Sequence, residues 1–326
     1  MAAQLNQGGA ASGLHDELLT IKSSFEERLR QVMGDADQSD LLQLAMREAT
    51  LSAGKRIRPL LMMLIARDLG RSAAGMLDAA CAVEMVHAAS LVLDDMPCMD
   101  NALLRRGRPP VHLRFGEDVA ILASISLLSR AFGLVAAAPT ISAGARARMG
   151  SALADAVGAQ GLAKGQYQDL RVGNGVRACD DIAVTNELKT GVLFGVAVNM
   201  AAIMTESADS VALPLQRFAR AAGQAFQIRD DLQDGPENDV AVTGKDIGKD
   251  VGKATLVATL GAEQARRRLA ALLEEADQHL SSALGDGNYT GLFFRALFAD
   301  QAPHLPHMAA ITLAPVNGAA CAVKPF

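Results

Sequence analysis

Two aspartate triads, each at the end of an apolar helical run, constrain this sequence more than any other feature it carries. The first lies within Ser90 to Gly107, SLVLDDMPCMDNALLRRG, where Asp94, Asp95 and Asp100 follow an apolar segment and precede the adjacent cations Arg105 and Arg106. Neighbouring like charges repel, and carboxylates at the end of an apolar helix lose hydration unless a cation or water compensates them. Alone, the cluster also fits a solvated helix end with loose acid–base pairs. A second copy of the pattern decides between the two. In FQIRDDLQD, Asp230, Asp231 and Asp234 fall at i, i+1 and i+4; at about 100° per residue they share an arc of about 100°, with Gln227 inside it. Two such helices, over a hundred residues apart in sequence, are expected to face each other across a cavity with metal ions and a diphosphate between them. Oxygen-only ligands suit a hard ion such as Mg²⁺, which takes one or two carboxylates and completes its shell with water and phosphate oxygens. The guanidinium forks just downstream match the phosphate.

A third basic stretch, SAGKRIRPLL, places Lys55, Arg56 and Arg58 just before Pro59 and an apolar run. Proline in the first turn of a helix leaves free N–H groups beside these cations, which makes an anion site; an ordinary basic surface loop is the other reading. His87 lies seven residues before Asp94, about 20° away on a continuous helix. A lone histidine on an apolar helix is usually a satisfied core residue. Here its face leads to the acids, and a phosphate contact becomes the sharper reading.

Helical periodicity dominates the chain from Leu14. Leu14, Leu18, Leu19, Ile21, Phe25 and Leu29 give a first amphipathic helix and Leu41 to Leu51 a second, while no segment alternates long enough for a strand. Ser151 to Ala163 and Gly261 to Leu273 are Ala-rich and read as helices. Proline and glycine cluster between such segments. The fold class is therefore all-α, a single-domain helical bundle around a central cavity, because both acidic motifs must come from one core. The first 13 residues read as a disordered lead-in, residues 14–301 as the domain, and 302–326, with Pro303, Pro306, Pro315 and Pro325, as an irregular tail. The apolar runs Val119 to Leu128 and Gly191 to Met204 stop short of a membrane span and read as buried helices.

Composition narrows the partners. A net charge of −5 argues against nucleic acid, and 4% aromatics with no tryptophan leave few platforms for stacking bases. Cys81, Cys98, Cys179 and Cys321 lack paired spacing; they read as reduced thiols of a cytoplasmic protein, and zinc is not indicated. The segment Gly244 to Thr255 lacks the spacing of a nucleotide P-loop and reads as a flexible lid supplying lysines.

The ordered motifs GKRIRP, DDMPCMDNALLRRG, GQYQDL, KTGVLF, FQIRDDLQD and GKDIGKDVGKAT resemble those of the trans-isoprenyl diphosphate synthases, the polyprenyl synthetase family, from about residue 14 to about residue 300. They are most similar to the bacterial geranylgeranyl diphosphate synthases of carotenoid pathways. The resemblance implies the isoprenoid synthase fold, a homodimer, and Mg²⁺-dependent condensation of isopentenyl diphosphate with dimethylallyl, geranyl or farnesyl diphosphate. By position, it makes Asp94, Asp95, Asp100, Asp230, Asp231 and Asp234 ligands of three magnesium ions bridged by the allylic diphosphate. It places Arg105, Lys189, Thr190, Lys245 and Lys253 on that diphosphate, and Lys55, Arg58, His87 and Arg106 on isopentenyl diphosphate. Gln227 matches the glutamine near the second motif, and Gln166 and Asp169 the GQxxDL helix.

The chemistry needs these types. Ionising an allylic carbon–oxygen bond places charge on the leaving diphosphate, which metal ions and cations must take up, and the carbocation needs a dry apolar surround. Product length is expected to depend on Ala89 and Ser90, one turn before Asp94, with Met85 and Val86 deeper, either as a floor or as core packing. Small residues there resemble the twenty-carbon enzymes, with farnesyl diphosphate as the alternative product. Pro110 in RRGRPP, and Ser124 and Ser126, depart from the family pattern without touching the acids or cations. A terpene cyclase would not need Lys55, Arg58 and His87, and a non-catalytic partner subunit would be expected to lose one triad.

Overall fold

The structure is a computed structural model, and it describes residues 2–71, 75–172, 178–233 and 255–299, excepting the side chains of residues 2–12, Val172 and Cys179. Helices α1 (Ala2–Met33), α2 (Leu41–Leu51), α3 (Ile57–Asp68) and α4 (Met76–Asp94) open the chain. They are followed by the short α5 (Val111–Phe115), then α6 (Glu117–Ala137), α7 (Ala143–Val157) and α8 (Leu162–Val172). Helix α9 (Cys179–Asn186) runs through a π-helical turn (Glu187–Gly191) into α10 (Val192–Met204). The series closes with α11 (Asp209–Gln233), α12 (Leu256–Leu260), α13 (Ala262–Leu284) and α14 (Tyr289–Leu297). The fold is all-α, and among the described residues the only β pairing is the isolated bridge between Arg105 and Arg108.

The apolar patterns explain which helices lie inside. Every residue from Pro59 to Ala66 of α3 is buried, as is most of α4 and α10, as expected of helices apolar on all sides. On α1, Leu14, Leu18, Ile21, Phe25 and Leu29 turn inward while Leu19 is exposed, so its stripe follows the 3.6-residue period. A chain of rings, Phe194, Phe218, Phe226, Phe294 and Phe298, with centroids 4.9–6.1 Å apart, ties α10, α11 and the end of α14 together. Asp68 at the end of α3 accepts the N–H groups of Tyr289 (3.1 Å) and Thr290 (2.8 Å), capping α14 from outside its own chain segment.

Three expectations need correction or qualification. Helix α1 already runs from Ala2, through the stretch taken as a disordered lead-in. The helix expected over Ser151 to Ala163 is two, because Gly158 and Gly161 fall in a turn between α7 and α8. The run Val119 to Leu128 is not buried all round: Ile121, Leu122 and Ile125 are 43%, 52% and 55% exposed on one face of α6. By length and composition α4, α6 and the stretch Asp180–Met204 reach what a bilayer crossing requires; α4 and α10 instead form the centre of the bundle. The C-terminal tail expected over 302–326 lies outside the described residues.

Candidate active site

Helix α4 ends at Asp94, with Asp95 as its C-cap, and α11 ends two residues beyond Asp231. Both ends open on one cavity of about 420 Å³, whose wall includes Asp94, Asp100, Asp230 and Asp231. The same wall carries Arg58, His87, Arg105, Arg106, Lys189, Thr190 and Gln227. Its apolar part comprises Ile57, Leu91, Leu193, Phe194 and Phe226. Acids, cations and an apolar pocket thus share one enclosure.

The loop after Asp95 is built from backbone hydrogen bonds. Asp100 N–H donates to Asp94 O at 2.9 Å and Ala102 N–H to Asp95 O at 3.1 Å. The Arg105–Arg108 turn has positive φ at both central residues, 53° at Arg106 and 75° at Gly107, the signature of a type I′ turn. It directs Arg105 back onto Asp95, with Nε 2.9 and 3.1 Å from the two carboxylate oxygens. Asp95 is buried and engaged by this arginine, whereas Asp94 faces the cavity. Burial pushes the Asp94 carboxyl up to about 6, helped by Asp100 and Asp95 and opposed by Lys189 and Arg105. A protonation equilibrium near neutral pH follows unless a cation joins it.

The π turn supplies an opposing cation. Such turns occur most often at functional sites, and here one holds Lys189 and Thr190. Lys189 Nζ lies 2.7 Å from Asp169 of α8. Burial lowers its pKa, but Asp169, Asp94 and Asp100 outweigh burial and raise it, so it stays charged. Thr190 Oγ1 donates to Gln227 Oε1 at 2.9 Å, and Gln227 Nε2 donates to Asp231 Oδ1 at 2.7 Å. Two glycines allow the neighbouring helices to close on this turn. A Cβ at Gly165 would stand 2.5 Å from Lys189 N, and one at Gly223 would stand 2.9 Å from Gly191 Cα.

On the other wall, Arg58 and His87 are half-buried side by side with Arg106. Burial, then the charges of Arg58 and Arg106, holds His87 well below its ordinary pKa, so it is neutral at pH 7. Burial also lowers Arg58 and Arg106, and Arg58 Nε is buried with no hydrogen-bond partner. Two clustered guanidinium groups with an orphaned donor, beside a neutral imidazole, fit a polyanion. Lys55 is exposed and lies off the wall. Gln166 is also off the wall, with both amide atoms buried and unbonded.

Of the chain-length candidates, Ser90 lines the cavity, while Met85, Val86 and Ala89 are fully buried behind it. Asp234, Lys245 and Lys253 lie outside the described residues. Among the described residues no three carboxylate, imidazole or thiol groups converge closely enough to hold an ion alone. The oxygen-only donors on the two helix ends fit Mg²⁺ completed by substrate oxygens. Sequence reading did not find the π turn, the glycine contacts or Thr255, which lines the cavity; only Gly165, inside a helix former's run, carried a signal.

Comparisons with known proteins agree with the geometry. A polyprenyl synthetase family model matches residues 39–284. The chain is 47% identical over 303 residues to the geranylgeranyl diphosphate synthase of Pseudescherichia vulneris, covering 90% of this chain and 97% of that protein. It is 36% identical over 280 residues to the farnesyl diphosphate synthase of Geobacillus stearothermophilus, covering 84% of this chain and 92% of that protein. The geranyltransferase of Helicobacter pylori, solved with magnesium and isoprenyl diphosphate, superposes with a TM-score of 0.78 at 25% identity, over 88% of this chain and 97% of that one.

Proposed function

The chain belongs to the polyprenyl synthetase family, and on that premise we propose how its cavity works as a geranylgeranyl diphosphate synthase. It is a prenyl transferase that joins isopentenyl diphosphate to an allylic diphosphate. The observation that carries the site assignment is the single cavity on which Asp94, Asp100, Asp230 and Asp231 meet Arg58, His87 and Arg106 around an apolar wall. A terpene cyclase has no use for the second cationic wall.

Asp94, Asp95, Asp100, Asp230, Asp231 and Asp234 would hold three magnesium ions, which supply Lewis-acid charge to the allylic diphosphate. Arg105, Lys189 and Thr190, with Lys245 and Lys253, bind the same diphosphate and take up charge as the carbon–oxygen bond breaks. Gln227 orients Thr190 and Asp231 together. Arg58, His87 and Arg106 on the wall, with the exposed Lys55, hold isopentenyl diphosphate, so that its double bond stands beside the allylic carbon. Leu91, Leu193, Phe194 and Phe226 exclude water from the carbocation. Neutral His87 sits among cations that oppose its protonation, and the wall's carboxylates are assigned to metal or pair with Lys189. The proton lost after condensation passes to the departed diphosphate.

The growing chain runs along α4 past Ser90, with the small Ala89 directly behind the wall and Met85 and Val86 deeper, and the small side chains at Ser90 and Ala89 favour a twenty-carbon product. The exposed Ile121, Leu122 and Ile125 of α6, with Leu113 of α5, support a homodimer across that face. The free thiols of Cys81 and Cys98 suit a reducing cytoplasm.

The test is a product assay. Purified protein with Mg²⁺, isopentenyl diphosphate and each allylic primer in turn should give the twenty-carbon diphosphate by mass spectrometry, and Ala89→Phe should shorten it. A product ending at fifteen carbons would make this a farnesyl diphosphate synthase, and no elongation with any primer would overturn the reading.

A further inference from the structure

Backbone strain is concentrated beside the second cationic wall. Among the described residues four non-glycine positions have positive φ, and two of them are Arg56 (51°) and Arg106 (53°). Such conformations persist only where surrounding contacts over-determine them, and they cluster at functional sites. These two arginines sit in loops fifty residues apart, yet both grip one residue. Arg56 Nη2 donates to Ser52 O at 2.9 Å, and Arg106 Nη1 donates to Ser52 Oγ at 3.1 Å.

The other arm of Arg56 is held from α4. Its Nη1 lies 2.5 Å from Glu84 Oε1, and the two side chains are 3% and 5% exposed. Glu84 is one turn before His87 on the same helix. Neither Ser52, Arg56 nor Glu84 lines the cavity, whereas Arg58 and Arg106 do. The left-handed turn at Arg56 sends that side chain into the core toward Glu84 at the start of α3, and Arg58, two residues on, to the cavity. Gly54 completes the cradle, since a Cβ there would stand 3.1 Å from Arg106 Nη1. Glu84 is also a buried negative charge among Arg56, Arg58 and Arg106, whose mutual repulsion would otherwise spread them.

We propose that Ser52 and Glu84 are positioning residues for the isopentenyl diphosphate site: they lock Arg56 and Arg106 in left-handed conformations, so that Arg58 and Arg106 meet one diphosphate at fixed spacing. The role rests on the assignment of that wall to isopentenyl diphosphate. Ser52 acts through its hydroxyl on Arg106 and through its carbonyl on Arg56, and Glu84 acts through its charge.

The experiment compares wild type, Ser52→Ala, Ser52→Thr and Glu84→Gln. Three quantities are read: KM for isopentenyl diphosphate at saturating farnesyl diphosphate, KM for farnesyl diphosphate at saturating isopentenyl diphosphate, and the rise in Tm that isopentenyl diphosphate alone produces. Ser52→Ala should raise the first KM by about tenfold, the loss of one hydrogen bond to a charged group, and reduce the ligand-induced Tm rise. The second KM, kcat and the ligand-free Tm should stay within about twofold or a few degrees of wild type. Ser52→Thr should restore wild-type behaviour. Glu84→Gln, if it folds, should shift the same KM selectively; should it not fold, the two Ser52 variants decide alone. Equal rises in both KM values with a lower ligand-free Tm, or no change in Ser52→Ala, would overturn the positioning role. Wild type that elongates nothing would instead overturn the function itself.

Discussion

Arg105 Nε lies 2.9 Å from Asp95 Oδ1, so the cation proposed to meet diphosphate is bound to an acid proposed to meet metal. The pair is largely buried, and charges removed from water need partners. In the free protein each neutralises the other; on the proposed assignment, metal and diphosphate would give each a new partner of opposite sign.

That exchange gives the first prediction. Arg105→Gln leaves Asp95 buried without its guanidinium, so the metal-free protein should lose about 3 kcal/mol in denaturant unfolding. Catalytic efficiency toward the allylic substrate should fall by about two orders of magnitude. Unchanged stability with unchanged kinetics would show that the pair serves neither purpose.

Asp94 gives a pH signature. Its carboxyl is raised from 3.8 to about 6, chiefly by burial, so the native state binds this proton more tightly than the unfolded chain. Stability from this group is therefore full below about pH 4 and falls as pH rises through about 6. The shift corresponds to roughly 3 kcal/mol at most. In chelator, Asp94→Asn should raise Tm by about 3–6 °C at pH 8, and the increment should shrink toward pH 5. An increment independent of pH would contradict the assignment.

Gln227 links Thr190 to Asp231 and so joins the π turn to the second acid pair. Gln227→Leu should lower kcat by about 10–100-fold, as losses of orienting partners around metal ligands do. The Mg²⁺ concentration giving half-maximal rate should rise. A drop in kcat with no change in the Mg²⁺ requirement would confine the residue to Thr190.

Gly165 lets α8 touch the backbone of Lys189. Gly165→Ala would place a methyl 2.5 Å from Lys189 N, where backbone and not a flexible side chain must yield. Overpacking of this kind costs about 1–3 kcal/mol, and the KM for the allylic substrate should rise because Lys189 moves. Calorimetry and initial rates check both.

Much of this arrangement is legible in the residues. The spacing of Gln227, Asp230 and Asp231 puts all three on the cavity wall, and the seven-residue step from His87 to Asp94 puts both there too. The bounds of α2 are those its apolar period gives. What periodicity cannot carry is a property of two segments at once. The exposed face of α6 looks like any buried apolar helix until its neighbours are known. The π turn at Glu187–Gly191 packs against Gly165 and Gly223, where a Cβ would meet its backbone, and the Arg56–Glu84 pair joins a loop to a helix twenty-eight residues away. Ala89 sits a turn from Asp94 as the sequence requires, yet the cavity wall passes through Ser90 and leaves Ala89 behind it.

The most direct measurement is a crystal structure of the protein with Mg²⁺, isopentenyl diphosphate and a thiolo analogue of farnesyl diphosphate. We expect metal density between the Asp94 and Asp230 ends of α4 and α11, with one diphosphate bridging them to Lys189 and Arg105. A second diphosphate should lie on Arg58, His87 and Arg106. Both diphosphates on the same wall, or metal away from the two helix ends, would contradict the two-site reading of this cavity.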